Sequence, residues 1–171
     1  MNILDREYLS AFVLEKENMR DTSKSKSDEQ QKAEIIIGNR VEKELSCPLK
    51  RNEKVVLSEG IHIVPDLYSE KDRIVGEIFA HIGSLKVGQK HKISQDILKM
   101  LLLEKTKGVK YRKMIIIVDE KIEEYLKGKS FIAESIRQFG IEIKKIDLSA
   151  EEYEKIINAQ RRQVMVNETD C

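Results

Sequence analysis

Two carboxylates in apolar surroundings carry the most chemistry in this sequence. Asp66 lies in Ile63-Val64-Pro65-Asp66-Leu67-Tyr68, and Glu77 in Val75-Gly76-Glu77-Ile78-Phe79-Ala80-His81. The plain assignment for Asp66 is a turn residue after proline. Glu77 is harder to dismiss, because acidic residues are depleted in strands and this one sits among Ile74, Val75, Ile78 and Ile82. Antiparallel pairing of the segments that carry them brings the two together. Neighbouring carboxylates repel, so a fold that keeps both needs a cation or a shared proton. A hard divalent ion, Mg²⁺ or Mn²⁺, binds through one or two carboxylates plus water and phosphate oxygens. There it acidifies a water and neutralises charge developing on a phosphodiester.

The pattern around this pair predicts its scaffold. Ile3, Leu4, Tyr8, Phe12, Leu14 and Met19 have loosely helical spacing, so a helix is expected within 1–20, followed by a flexible polar linker over 21–28. A single α/β domain is expected over 29–165, with a frayed tail over 166–171. Its first helix runs from about Glu29 to Ser46, before Pro48. Lys54 to Val64 places β-branched residues around Ser58-Glu59-Gly60, predicting a hairpin. Arg73 to Ile82 is the next strand, after a polar turn at Ser69 to Asp72. Ile93, Ile97, Met100 and Leu101 follow the helical repeat in a helix from Lys86 to about Lys105. Lys113 to Asp119 is a continuous apolar run of the kind buried in parallel sheets. A helix at Ser130 to Phe139, a strand at Ile141 to Leu148 and a helix at Ala150 to Arg162 complete the order. The expected fold is a central mixed sheet of about five strands flanked by helices: a three-stranded antiparallel meander joined to parallel crossover strands.

With Pro65-Asp66, Glu77 and this element order in place, the chain resembles the PD-(D/E)XK nuclease superfamily over roughly two thirds of its length, from about Glu29 to Leu148. The resemblance implies a restriction endonuclease-like fold and metal-dependent hydrolysis of DNA. Asp66 and Glu77 would ligate Mg²⁺ or Mn²⁺, with help from the Ile78 carbonyl. The family often keeps a glutamate on the helix before the hairpin; Glu42, one turn after Gly38, matches it, with Glu34 as the substitute. The chain departs from the pattern where a lysine belongs two residues after the acidic strand residue, because Phe79 stands there. Lysines that have moved to the following helix are a known variation of the superfamily. Lys90 is the first candidate for the missing cation, followed by Gln89 and by His81, which shares the strand face of Glu77.

Composition narrows the remaining classes. The chain has 171 residues, 36% charged, yet a net charge of only +1, so any hold on nucleic acid must come from local patches. Lys86 and Lys92 begin one such patch, and Lys110, Arg112 and Lys113 form another. Solvated helix faces are the bland alternative for both. His62 and His91 have no ligand spacing, Cys47 and Cys171 form no disulfide or zinc pattern, and Asp119 serves equally as a functional strand-end group or a cap for the next turn. No glycine-rich phosphate loop is present, so no nucleotide cofactor is expected. The apolar runs are too short to cross a bilayer, and Asp5, Arg6 and Glu7 interrupt any leader, so a cytoplasmic protein without membrane contact is expected. DNA is the expected partner, and cutting both strands would ask for a homodimer. The competing expectation is a degenerate nuclease scaffold that binds nucleic acid or a protein without cleaving.

Overall fold

The structure, a computed structural model, describes the backbone of residues 31–169 and the side chains of residues 31–161. The helix expected within 1–20 and the linker at 21–28 lie outside the described residues. Ile37 and Val41, one turn apart, are buried on one face of a helix over 31–45, here α1. Gly38, on the same helix, lies against Arg51: a Cβ there would fall inside the guanidinium.

The strands that follow are β1 (Lys50–Arg51), β2 (Val55–Ser58), β3 (Ile61–Ile63), β4 (Leu67–Ser69) and β5 (Ile74–Phe79). Helix α2 (Val87–Lys107) and strand β6 (Arg112–Ile117) come next. They lead into α3 (Glu120–Lys127), α4 (Phe131–Gln138), β7 (Ile141–Lys145) and α5 (Ala150–Thr169). One five-stranded sheet has the order β1-β4-β5-β6-β7. β5, β6 and β7 are parallel, and β1 and β4 extend the sheet as an antiparallel arm. The chain is therefore α/β with a mixed five-stranded sheet flanked by helices.

Three expectations need correction. The hairpin around Gly60 exists, but β2 and β3 form a separate two-stranded sheet rather than two strands of a meander. Pro65 has no backbone N–H to donate, and the chain re-enters the main sheet only at Leu67. The segment after β6 is not a plain connection. Asp119 accepts a hydrogen bond from the Ile122 amide and caps α3, whose Ile122 and Leu126 are fully buried one turn apart. The last helix also continues to Thr169, past the end expected for it at Arg162.

Side-chain alternation divides the core in two. Leu67, Ile74, Ile78, Met114 and Ile116 pack on one sheet face with Ile37 and Val41 of α1 and Ile156 of α5. Val75, Phe79 and Ile115 point to the other face, with Ile93, Ile97 and Met100 of α2 and apolar residues of α3 and α4. The β2–β3 hairpin adds Val55 and Ile63 to that second layer. Each such side chain, fully buried, contributes about 1.5–3 kcal/mol of transfer free energy. Period-two alternation places Glu77 on the α2 face, between Val75 and Phe79. α2 is held at both ends: the Gln89 side chain accepts from the Lys86 amide, and Gly108 closes the helix with φ 67°.

Candidate active site

β4 and β5 pair with Leu67 opposite Gly76, which sets Asp66 opposite Glu77 at the edge of the ladder. One Asp66 oxygen, Oδ2, accepts the Ile78 amide at 2.7 Å, which fixes the half-buried carboxylate beside β5. The two carboxylates singled out from sequence thus lie together on the structure, with Glu77 only 3% exposed.

The cation at Glu77 is one that the sequence pattern did not single out. Lys99, in the middle of α2, brings its Nζ within 2.7 Å of Glu77 Oε1 and 2.9 Å of Asp96 Oδ1. Asp96 stands one turn before Lys99 on the same helix and is also buried. The positions expected to supply the missing lysine have other partners. The Lys90 ammonium lies 4.9 Å from the centre of the Tyr125 ring. The Gln89 amide contacts the His81 ring at 2.9 Å, and desolvation holds His81 below the usual histidine range. Glu42 is occupied as well: it accepts from the Leu49 amide at 2.8 Å and pairs with Arg51 at 3.0 Å. Those bonds, the first above all, hold its carboxyl below the usual range. Arg51 pairs in register with Leu67, on the α1 side of the sheet, so Glu42 works on the face opposite Glu77.

A second buried glutamate, Glu104 on α2, shows what is unusual about Glu77. Glu104 is also buried, and burial alone would raise its carboxyl. Lys113 at 2.7 Å and the Tyr111 amide at 2.8 Å more than offset that, so its net shift is downward. Glu77 is driven the other way. Burial first, then the charges of Asp96 and Asp66, push it up to about 8 against the pull of Lys99. Lys99 Nζ, 2.7 Å from Oε1, is its close cationic partner, and that partner is shared with Asp96. Glu104 has Lys113 and the Tyr111 amide as partners, whereas Glu77 shares its one close cation, Lys99, with Asp96. A strongly perturbed group with a specific charge partner marks a functional-site candidate.

The same comparison corrects the basic patches. Lys113 is only 4% exposed and bonded to Glu104, so it cannot reach a phosphate. Arg112 forks onto Glu142, while Lys110 is almost wholly exposed. Lys86 and Lys92 at the start of α2 are exposed, and Lys92 lies 3.8 Å from Asp96. Asp119 is a cap, bonded to the Ile122 and Gly83 amides.

Among the described residues, no group of three or more His, Cys, Asp or Glu side chains is arranged to hold a metal ion by itself. Two carboxylates facing each other across β4 and β5, one of them buried, nonetheless suit an ion that draws its other ligands from water and substrate. A groove of about 490 Å³ beside α1 and α5, lined by Ala33, Ile36, Leu148 and Ile156, lies on the far side of the sheet from these groups. No helix of the described residues is long and apolar enough to cross a membrane. No family model, curated protein or solved structure matches the chain.

Proposed function

We propose that this domain hydrolyses DNA phosphodiester bonds in a divalent-metal-dependent reaction, on a restriction endonuclease-like fold. The observation that carries the reading is geometric: Asp66 and Glu77 lie opposite each other across β4 and β5, with the Lys99 ammonium 2.7 Å from Glu77 Oε1. Asp66 and Glu77 would hold Mg²⁺ or Mn²⁺, which when bound would lower the pKa of a water and screen the phosphate. Lys99 takes the role that the family resemblance gives to the absent strand lysine: a fixed ammonium beside the acidic strand residue. It donates hydrogen bonds to the attacking water and offsets charge growing on the phosphate oxygens. The water oxygen bonds to phosphorus, the bond to one ester oxygen breaks, and a proton from the water ends on that leaving oxygen. Lys86 and Lys92 are the exposed cations of the adjoining helix start that would grip neighbouring phosphates.

A second reading, a nuclease-like scaffold that binds without cutting, is favoured by one feature. Lys99 already bridges Glu77 and Asp96, and so partly neutralises the site. Incubation of plasmid and single-stranded DNA with Mg²⁺ or Mn²⁺ separates the two. Metal-dependent cleavage by the wild-type chain, lost in Asp66→Ala, is the expected result. Salt-sensitive DNA binding with no cleavage by the wild type selects the second reading.

A further inference from the structure

Lys99 is a half-buried ammonium on a flexible four-carbon stem, so the side chain by itself does not fix where its charge lies. Its place beside Glu77 depends on which negative charges hold it. Glu77 is one only while it is ionised, and the proposed reaction gives that charge to a metal ion, so Lys99 then loses the attraction at the moment it is needed. Asp96 is the other. It lies one turn before Lys99, so helix geometry keeps the two side chains adjacent. It is 4% exposed and offers Oδ1 to Nζ at 2.9 Å. Nor is Asp96 there to balance another buried cation: its second contact, Lys92, is exposed and 3.8 Å away. A carboxylate buried without a close partner is costly, and Lys99 is the partner that justifies this one.

We propose that Asp96 is the positioning residue of the site: it retains the Lys99 ammonium at the sheet face when the charge of Glu77 is taken up by a bound cation. This rests on the nuclease reading for its catalytic consequence but not for its structural content. Asp96 touches neither substrate nor metal in this scheme and acts through Lys99.

Glu77→Gln removes the glutamate charge at constant shape and mimics that uptake without any metal. The probe is the side-chain ¹³Cε–¹⁵Nζ resonance of Lys99, assigned by its loss in Lys99→Arg. In Glu77→Gln the resonance should stay resolved from those of solvent-exposed lysines. In the Glu77→Gln/Asp96→Asn double variant it should merge with them, while the backbone spectrum remains that of a folded chain. Merging in Glu77→Gln alone overturns the proposal, as does a resonance that stays resolved in the double variant. In the cleavage assay, Asp96→Asn should lower kcat about 10–100-fold, as loss of outer-shell partners does, with KM nearly unchanged. An unchanged kcat overturns the catalytic part. A wild-type chain that cleaves nothing rejects the nuclease reading, and the resonance measurements still decide the role of Asp96.

Discussion

Lys99→Ala is expected to lower the single-turnover rate of Mg²⁺-dependent DNA cleavage by about 10²–10³-fold, the range for removing one fixed donor aimed at developing charge. Lys90→Ala should leave that rate nearly unchanged. Both are lysines of the same helix, so loss of net positive charge and general weakening of DNA binding are matched between them. They differ in what they face: Lys99 meets Glu77 and Asp96, and Lys90 lies over Tyr125. Lys99→Arg should recover only part of the rate, because a planar fork does not reproduce a compact ammonium. Equal losses in the two alanine variants would remove Lys99 from the site and leave it a generic contact to phosphate.

The second large effect is on stability, and its sign follows from Glu77. The carboxyl moves from an ordinary value of 4.5 in the open chain to about 8 in the fold, chiefly through burial, with Asp96 and Asp66 adding to it. Between those two values the native state holds the proton that the unfolded chain has released. The stabilising contribution is therefore complete below about pH 4.5 and is lost as pH rises through about 8. In metal-free buffer, Tm should fall over this interval. Glu77→Gln, which carries no such charge, should flatten the decline and melt several degrees higher than wild type at pH 9. Each tenfold difference in proton affinity between the folded and unfolded chain is worth about 1.4 kcal/mol, and a chain of this size gains about 2–4 °C in Tm per kcal/mol. Mg²⁺ competes with the same proton, so it should stabilise the wild type more at pH 8.5 than at pH 6. Parallel melting profiles for wild type and Glu77→Gln would show that the fold compensates the buried carboxylate after all.

The pairing of Asp66 with Glu77 was legible in the sequence because it depends on short-range features: a proline, a polar turn and an alternating strand. The continuous run at 114–118 likewise announced a central parallel strand, since both of its faces are buried. Lys99 was not legible in the same way. Finding it requires knowing how far along α2 the helix passes over Glu77, and that is set by the path of the chain through 80–86. The first turns of the helix offer only Gln89 and Lys90. One signal was available: Asp96 interrupts the apolar stripe of Ile93, Ile97 and Met100, and Lys99 follows it by three residues. A buried aspartate with a lysine one turn later is a site worth testing on any core-facing helix.

Other departures share that physical origin. Lys113 heads an apolar run and reads as a solvated strand end, yet Glu104 reaches down from α2 to bury it. Gly38 and Glu42 share a helix face, as expected, but what that face receives is Arg51 from the edge strand. In both cases the partner comes from another element, and local periodicity says nothing about its arrival.

The most direct test of the central claim, that Asp66 and Glu77 hold a divalent cation beside Lys99, is a Mn²⁺ titration followed by NMR. Paramagnetic broadening depends steeply on distance and also reports weakly held ions. Resonances of Asp66, Glu77, Ile78 and Lys99 should broaden at the lowest Mn²⁺ concentrations, and Asp66→Asn should abolish that selectivity. Broadening that begins elsewhere, or that is unaltered in Asp66→Asn, would contradict the claim.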